Sequence, residues 1–554
     1  MPHCRALAAV IVWVSALSQS AGAAVWQWSV PVTSVMSDET KDHPRAFLYI
    51  PPDCQRVRAV IVGQHNMLEE GILEHPALRN AMADTSVAAV WVTPAFDGHF
   101  NFDNGAGEVF EKMMAALAAE SGYKELAFAP AIPIGHSAMA SYPYHFAAWQ
   151  PQRTAAAISV KGTWPDFRYA QSPKWKDEDL AGVPLLYVNG EYEDAQGRAG
   201  KAAAFRARIP QSPLTMWVDA GGGHFDFHDR MVEAIALYLR KLAKYRLPED
   251  PLLDDQVTLK PINPTTTGWV YDRWRKNDKP KAPPAPVAKY IGNTKETFWA
   301  FDEELAKAIE AYNADAHGKK VPVVGYIQNG EVVAQNPKLH AQVPLKFLPE
   351  SDGLTFKLDA RFLDTVPEGR PVGWTGLPAG APVGHPSGGG PIAIDRICGP
   401  LVKLAPDTFA IRFYRMGMNN PKRSNDLWFM ASHSGDAEYR RVVQQAQMRF
   451  PLKNEQGRDQ TITFAPIVDQ PAGTKSLKLQ ATSSAGVPVY YYVREGPAEV
   501  SDDGAVTFAP IPPRAKFPVK VTVVAWQWGR SVEPKLKTAK EVERTFHLTR
   551  EQAP

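Results

Sequence analysis

The feature that most constrains this chain is a regular alternation, through residues 45–242, of short apolar runs with amphipathic stretches. Residues 59–62, 87–92, 131–134, 156–160, 184–188 and 214–218 are the apolar runs. Runs of that length and character fit strands buried on both faces. Between them, residues 105–121 carry Val109, Met113, Met114 and Leu117 at helical spacing, and residues 232–242 form a second helix candidate. Strands that alternate with helices imply right-handed crossovers and a mostly parallel sheet. Residues 45–50, halted by Pro51 and Pro52, read as an early edge strand.

A chain of 554 residues is too long for one core, and its punctuation suggests where it divides. Arg5, the apolar run 6–17 and the small residues Ala21, Gly22 and Ala23 read as a signal peptide over residues 1–23. That run is short for a bilayer core of ~30 Å. The expectation is a secreted or periplasmic bacterial protein with no membrane attachment after cleavage. Residues 24–247 then form the α/β domain, ending where Leu247-Pro248-Glu249-Asp250 opens a Pro-rich stretch. Residues 251–470 read as a β-rich accessory region with one helix, 298–314, and a Gly/Pro-rich loop at 378–391. Formal net charge is +2, so no strong field draws the chain to nucleic acid, and no nucleic-acid partner is expected. Cys54 and Cys398 are compatible either with a bridge between domains or with two buried thiols.

The stretch Gly135-His136-Ser137-Ala138-Met139 lies between a buried strand and a helix-like segment. That is the setting of a strand–turn–helix elbow, in which a serine is held in a strained turn with its hydroxyl exposed. Gly135 must lack a side chain for such a turn to close. Met139 stands where this motif usually has a second glycine, and the small Ala138 and Ala140 flank it. A serine nucleophile needs a base to take its proton, and the base needs an acid to fix its tautomer. His224, in the glycine-rich Asp219-Ala220-Gly221-Gly222-Gly223-His224, is the preferred base, and His228 is more suited to starting the last helix. Glu191, Glu193 and Asp194, three carboxylates in four residues, are the candidates for the acid. Two backbone N–H groups should face the developing oxyanion. One is expected from Ala138. The other is expected from the loop after the 59–62 strand, Gly63-Gln64-His65-Asn66-Met67.

With these residues in place, residues 40–247 resemble the α/β-hydrolase superfamily, in its secreted esterase and dienelactone-hydrolase-like branches. The resemblance implies the order nucleophile, acid, histidine, with the acid about three residues past the glycine that ends its strand. That points to Ser137, Glu193 and His224, with Asp194 next, Glu191 third and Asp166 a further candidate. It also implies Met67, with Asn66 in the place of the family's glycine, as the second oxyanion donor. Residues 473–549, with Val487-Pro488-Val489-Tyr490 and Val521-Thr522-Val523-Val524-Ala525-Trp526, resemble a bacterial immunoglobulin-like repeat. The expected fold class is thus α/β. A mostly parallel α/β-hydrolase sheet flanked by helices is followed by a β-rich accessory region and a C-terminal immunoglobulin-like β-sandwich.

The expected chemistry is hydrolysis of a carboxylic ester through an acyl-enzyme, with no cofactor. No metal is expected either, because His224-Phe225-Asp226-Phe227-His228 matches no common zinc spacing. His99 follows the 87–92 strand and Trp164 the 156–160 strand, on the rim that carries Ser137. They are expected to line the substrate site, with a solvated loop position for His99 and a packing role for Trp164 as the alternatives. Export, aromatic content and appended β modules suggest a polysaccharide-linked ester as substrate, an analogy rather than a derivation. A secreted serine peptidase on the same fold is one alternative. A non-catalytic carbohydrate- or surface-binding protein, favoured by Met139 and the large C-terminal half, is another.

Overall fold

The computed structural model describes residues 25–167, 175–250 and 255–550. The expected signal peptide, residues 1–23, lies outside them. Eight strands build one sheet: β1 (Trp28–Pro31), β2 (Arg45–Tyr49), β3 (Ala59–Gln64), β4 (Val87–Thr93), β5 (Ala131–His136), β6 (Ala157–Val160), β7 (Leu185–Gly190) and β8 (Leu214–Asp219). Their order is β1-β2-β4-β3-β5-β6-β7-β8. Only β2 runs antiparallel to its neighbours. All other pairings are parallel. The expected edge strand is therefore interior: β1 pairs with β2 and takes the edge itself. Burial of Trp28 and Val30 holds β1 there.

Every residue of β3 and β4 is buried, and the pleat sends alternate side chains to opposite sides. Ala59, Ile61, Ala89 and Trp91 enter one core, while Val60, Val62, Val90 and Val92 enter another. Helices α1 (Glu69–Glu74), α2 (Pro76–Thr85), α3 (Gly107–Ser121), α4 (Tyr142–Trp149), α5 (Ala195–Arg208) and α6 (Asp229–Tyr245) lie between the strands in sequence. Leu73, Met82, Phe205 and Leu239 from α1, α2, α5 and α6 fill the first core. Phe110, Met113 and Leu117 of α3 fill the second. This is an α/β-hydrolase sheet.

The first core continues past residue 247. The small sheet Trp269–Asp272, Ala285–Pro286 and Thr297–Ala300 adds Val270, Tyr271, Phe298 and Trp299 to it, and helix α7 (Glu303–Ala314) adds Leu305 and Ile309. The helix expected over 298–314 thus begins at Glu303, because Phe298 and Trp299 belong to a buried strand. Asp302 caps the helix by accepting the Leu305 N–H at 3.0 Å.

Many small, mostly antiparallel sheets follow. One has the strand order Val343–Lys346, Val442–Arg449, Asp426–His433, Ala393–Cys398. Its core, with Phe356, Phe409 and Phe429, also takes in Trp526 and Trp528 from the C-terminal segment. That segment has a core of its own, around Leu479, Val506, Val521, Val523 and Phe546. Cys54 and Cys398 are free thiols. No described helix is long and apolar enough to cross a membrane.

Candidate active site

The strand ends place the chemistry. Ser137 follows β5, Glu193 follows β7 and His224 follows β8, all at the carboxyl edge of the sheet, where open α/β sheets carry their sites. Ser137 has φ +54°, a left-handed conformation that non-glycine residues rarely adopt. The turn is tight for a definable reason. A Cβ on Gly135 would meet the Met139 carbonyl oxygen at 1.9 Å. Met139 is tolerated because the other close approach falls elsewhere: a Cβ on Gly162 would strike the Ala140 Cβ. Residues Ser137–Met139 form a 3-10 turn, and α4 starts only at Tyr142, so the serine does not sit directly on a long helix.

The Ser137 hydroxyl donates to Nε2 of His224 at 2.6 Å. On the other side of the ring, Nδ1 of His224 donates to Oε2 of Glu193. An ionised carboxylate accepts only, so the proton sits on Nδ1 and Nε2 is left to receive the serine's. Burial would raise the Glu193 carboxyl, but hydrogen bonds from His224 and His340, with the charge of Arg198, hold it well below the usual carboxylate range. Burial lowers the His224 imidazole, and Glu193 opposes that only in part. With its proton on Nδ1, the ring presents Nε2 to the Ser137 hydroxyl.

The neighbouring carboxylates are engaged elsewhere. Glu191 accepts the Gly221 N–H at 2.8 Å and pairs with Arg440. Asp194 caps α5 by accepting the Gly197 N–H. Asp166 accepts from the Thr163 hydroxyl at 2.9 Å. His228 stands at the N-cap position of α6, bonded to Asp219 at 2.7 Å.

The expectation for Met67 requires correction. Its N–H donates to Oε2 of Glu69 at 2.9 Å, and the Asn66 N–H reaches the same oxygen at 3.2 Å. Oε1 of Glu69 accepts the His136 N–H at 2.7 Å. An N–H already held by a buried carboxylate is not available to a substrate oxygen. Ala138 lies next to Ser137 in the 3-10 turn Ser137–Met139. His99 is exposed in the loop after β4, its N–H bonded to Asp97 at 2.8 Å. That loop nears the nucleophile turn, since a Cβ on Gly98 would lie 4.0 Å from the Met139 methyl. Trp164, half-buried, packs on the first core with Lys201 Nζ 4.6 Å from its ring centre.

Several residues at the site have no counterpart in the sequence reading. Glu69 ties the loop after β3 to the nucleophile turn, and its burial pushes its carboxyl up to about 7 against four backbone N–H groups, its own among them. An acidic pair, Glu69-Glu70, in a helix with buried Ile72 and Leu73 was the available signal. His136 donates from Nε2 to the His224 carbonyl at 2.9 Å and accepts at Nδ1 from Asn66. Below the histidine loop, buried Lys161 lies 2.8 Å from Asp219 and 2.9 Å from Asp226, and Arg441 reaches Asp226 at 3.0 Å. Asp226 accepts the Gly223 N–H at 2.7 Å, so the ion cluster fixes the segment that carries His224.

Glu193, His224 and His340 also bring three potential metal ligands within 4.8 Å of one another. The two imidazoles stack 3.8 Å apart with an interplanar angle of 7°. A cation shared by both Nδ1 atoms would lie off the in-plane lone pairs of each ring. The arrangement fits hydrogen bonds to one carboxylate and does not fit a metal.

No family model and no curated protein matches the chain. Among solved structures, a Staphylococcus aureus fluorophosphonate-binding serine hydrolase is 12% identical with a TM-score of 0.27, covering 39% of this chain and 97% of its own. A poly(3-hydroxybutyrate) depolymerase from Bordetella parapertussis is 16% identical with a TM-score of 0.28, covering 41% and 92%. A ferulic acid esterase is 11% identical with a TM-score of 0.29, covering 40% and 99%.

Proposed function

We propose that this protein is a serine hydrolase that cleaves carboxylic esters, with Ser137 as nucleophile, His224 as general base and Glu193 as the acid that orients it. The observation that carries the reading is the unbroken relay from the Ser137 hydroxyl through both nitrogens of His224 to Glu193. In the first step Ser137 Oγ bonds to the ester carbonyl carbon while His224 takes its proton, and Ala138 N–H faces the developing oxyanion. His224 returns that proton to the departing alcohol. Water, deprotonated by His224, then releases the acid and restores the serine. Glu193 stabilises the imidazolium formed in each step.

A polysaccharide-linked ester is the proposed substrate class, and His99 and Trp164 are proposed to border it. An exported location, with residues 1–23 removed, belongs to the same reading, as does an immunoglobulin-like character for residues 473–549. A β-sandwich there is supported by the shared core between two small sheets, one holding Val519–Trp526 and Val542–Thr549, the other Ala505–Phe508.

The test is labelling of the purified chain by a fluorophosphonate probe, with Ser137→Ala as control. Wild type is expected to be labelled and the variant not. A wild-type chain that is never labelled favours the binding-protein reading. Hydrolysis of matched acetylated and feruloylated polysaccharides and of peptides then separates esterase from peptidase.

A further inference from the structure

His340 lies in the accessory region, 147 positions from Glu193 in sequence, yet it sits on the relay. Its Nδ1–H donates to Oε1 of Glu193 at 2.8 Å, the oxygen that His224 does not use. Its ring stacks on His224 with centroids 3.8 Å apart. One carboxylate therefore accepts from two parallel imidazoles, one oxygen each. The first carries the serine's proton, and the second has no contact with Ser137 among the described hydrogen bonds.

The backbone that presents His340 is held in an unusual shape. His340 and Ala341 are consecutive non-glycine residues at φ +54° and +59°. Left-handed residues cost free energy and persist where surroundings impose them. The surroundings are visible here. Gln445 donates to the His340 carbonyl at 3.1 Å, and Gln444 donates to the Ala341 carbonyl at 2.9 Å. Gln445 also accepts the N–H of Phe225, the residue next to His224. The strand Val442–Arg449 thus grips both the strained dipeptide and the histidine loop with neighbouring side chains.

The geometry points to His340 as a positioning residue: it fixes the second oxygen of Glu193 and one face of His224, so that the accessory region completes the catalytic relay. The inference rests on the serine-hydrolase reading above. A carboxylate anchored at both oxygens cannot rotate about its terminal bond, and the oxygen facing His224 stays in the ring plane. A stacked ring blocks tilting of His224 out of that plane. Both effects act on the rate of proton transfer and leave substrate binding alone.

The test compares His340→Ala, His340→Asn and His340→Phe in the full chain, with hydrolysis of p-nitrophenyl acetate and fluorophosphonate labelling as readouts. Asn tolerates the left-handed backbone and its amide N–H can stand in for Nδ1–H. Phe keeps a stacked ring and loses the donor. His340→Ala is expected to lower kcat by about tenfold with KM little changed, the loss of one charge-assisted hydrogen bond. Asn is expected to recover most of kcat, and Phe to stay slower than Asn. If the Ala variant fails to fold, the Asn–Phe comparison at matched thermal stability decides. A wild-type kcat in His340→Ala, or a folded Asn variant no faster than Phe, overturns the inference. Absence of labelling in the wild type would instead overturn the serine-hydrolase reading itself.

Discussion

Three carboxylates follow β7 within four residues, and each is engaged by a different neighbour. Arg440 takes Glu191 and the start of α5 takes Asp194, which leaves Glu193 for His224. Sequence could narrow the acid to this stretch but could not choose, because the choice depends on Arg440, which lies 249 positions away from Glu191. Glu193→Gln should keep the fold and lower kcat by roughly 10³–10⁴-fold, since an amide nitrogen facing Nδ1 favours the wrong tautomer. Ester hydrolysis by the variant checks this; an amide as active as the acid would remove Glu193 from the relay. The pH dependence follows from the same pair. Burial lowers His224 below its ordinary 6.5, and only the neutral ring accepts the serine proton. The acid limb of kcat/KM should therefore be centred below pH 6.5. An acid limb centred above 6.5 would contradict the buried, neutral base.

At the scale of elements, the nucleophile turn was the most legible part of the molecule. Its determinants are local: a buried strand, Gly135, a serine and small neighbours. Met139 departs from the motif's usual second glycine, a position where helix and strand normally approach closely. In the structure that contact is made by Ala140 against Gly162, and Met139 packs at the rim of the second core. Met139→Gly should thus leave kcat near wild type and cost about 1 kcal/mol or less of stability, whereas Gly135→Ala, with no room before the Met139 carbonyl, should lose activity and several degrees of Tm. Hydrolysis rates and thermal melts of both variants separate these outcomes, and an active, stable Gly135→Ala chain would mean the turn is looser than its geometry. The oxyanion loop was misread for the opposite reason. Position in the chain identified Met67, but Glu69, two residues on, folds back under its N–H.

Across the whole molecule, the accessory region reaches the site through His340 and through one short strand segment. Arg440, Arg441, Gln444 and Gln445 reach Glu191, Asp226, the Ala341 carbonyl and the Phe225 N–H respectively. The glycine-rich loop fits against it: a Cβ on Gly221, at φ +66°, would lie 2.0 Å from the Arg441 carbonyl oxygen. None of this is legible from pattern, because hydropathy reports burial and not which distant strand does the burying. Electrostatics makes the coupling testable. Buried Lys161, with the largely buried Arg441, balances the buried Asp219 and Asp226. Burial would raise both carboxyls, but these cations, joined at Asp219 by His228, hold them below their ordinary 3.8. Their stabilisation is complete above pH 3.8 and is lost as pH falls through the lowered folded values. Arg441→Met removes one cation and strands a buried negative charge, which should cost about 3–5 kcal/mol. Asp226→Asn added to it restores neutrality, since Lys161 then faces Asp219 alone. The double variant should therefore be more stable than Arg441→Met, with a coupling above about 1 kcal/mol in urea unfolding. Simple additivity of the two losses would show that the ions act separately. In that case the accessory strand would hold the histidine loop by packing and by Gln445, with no contribution from charge.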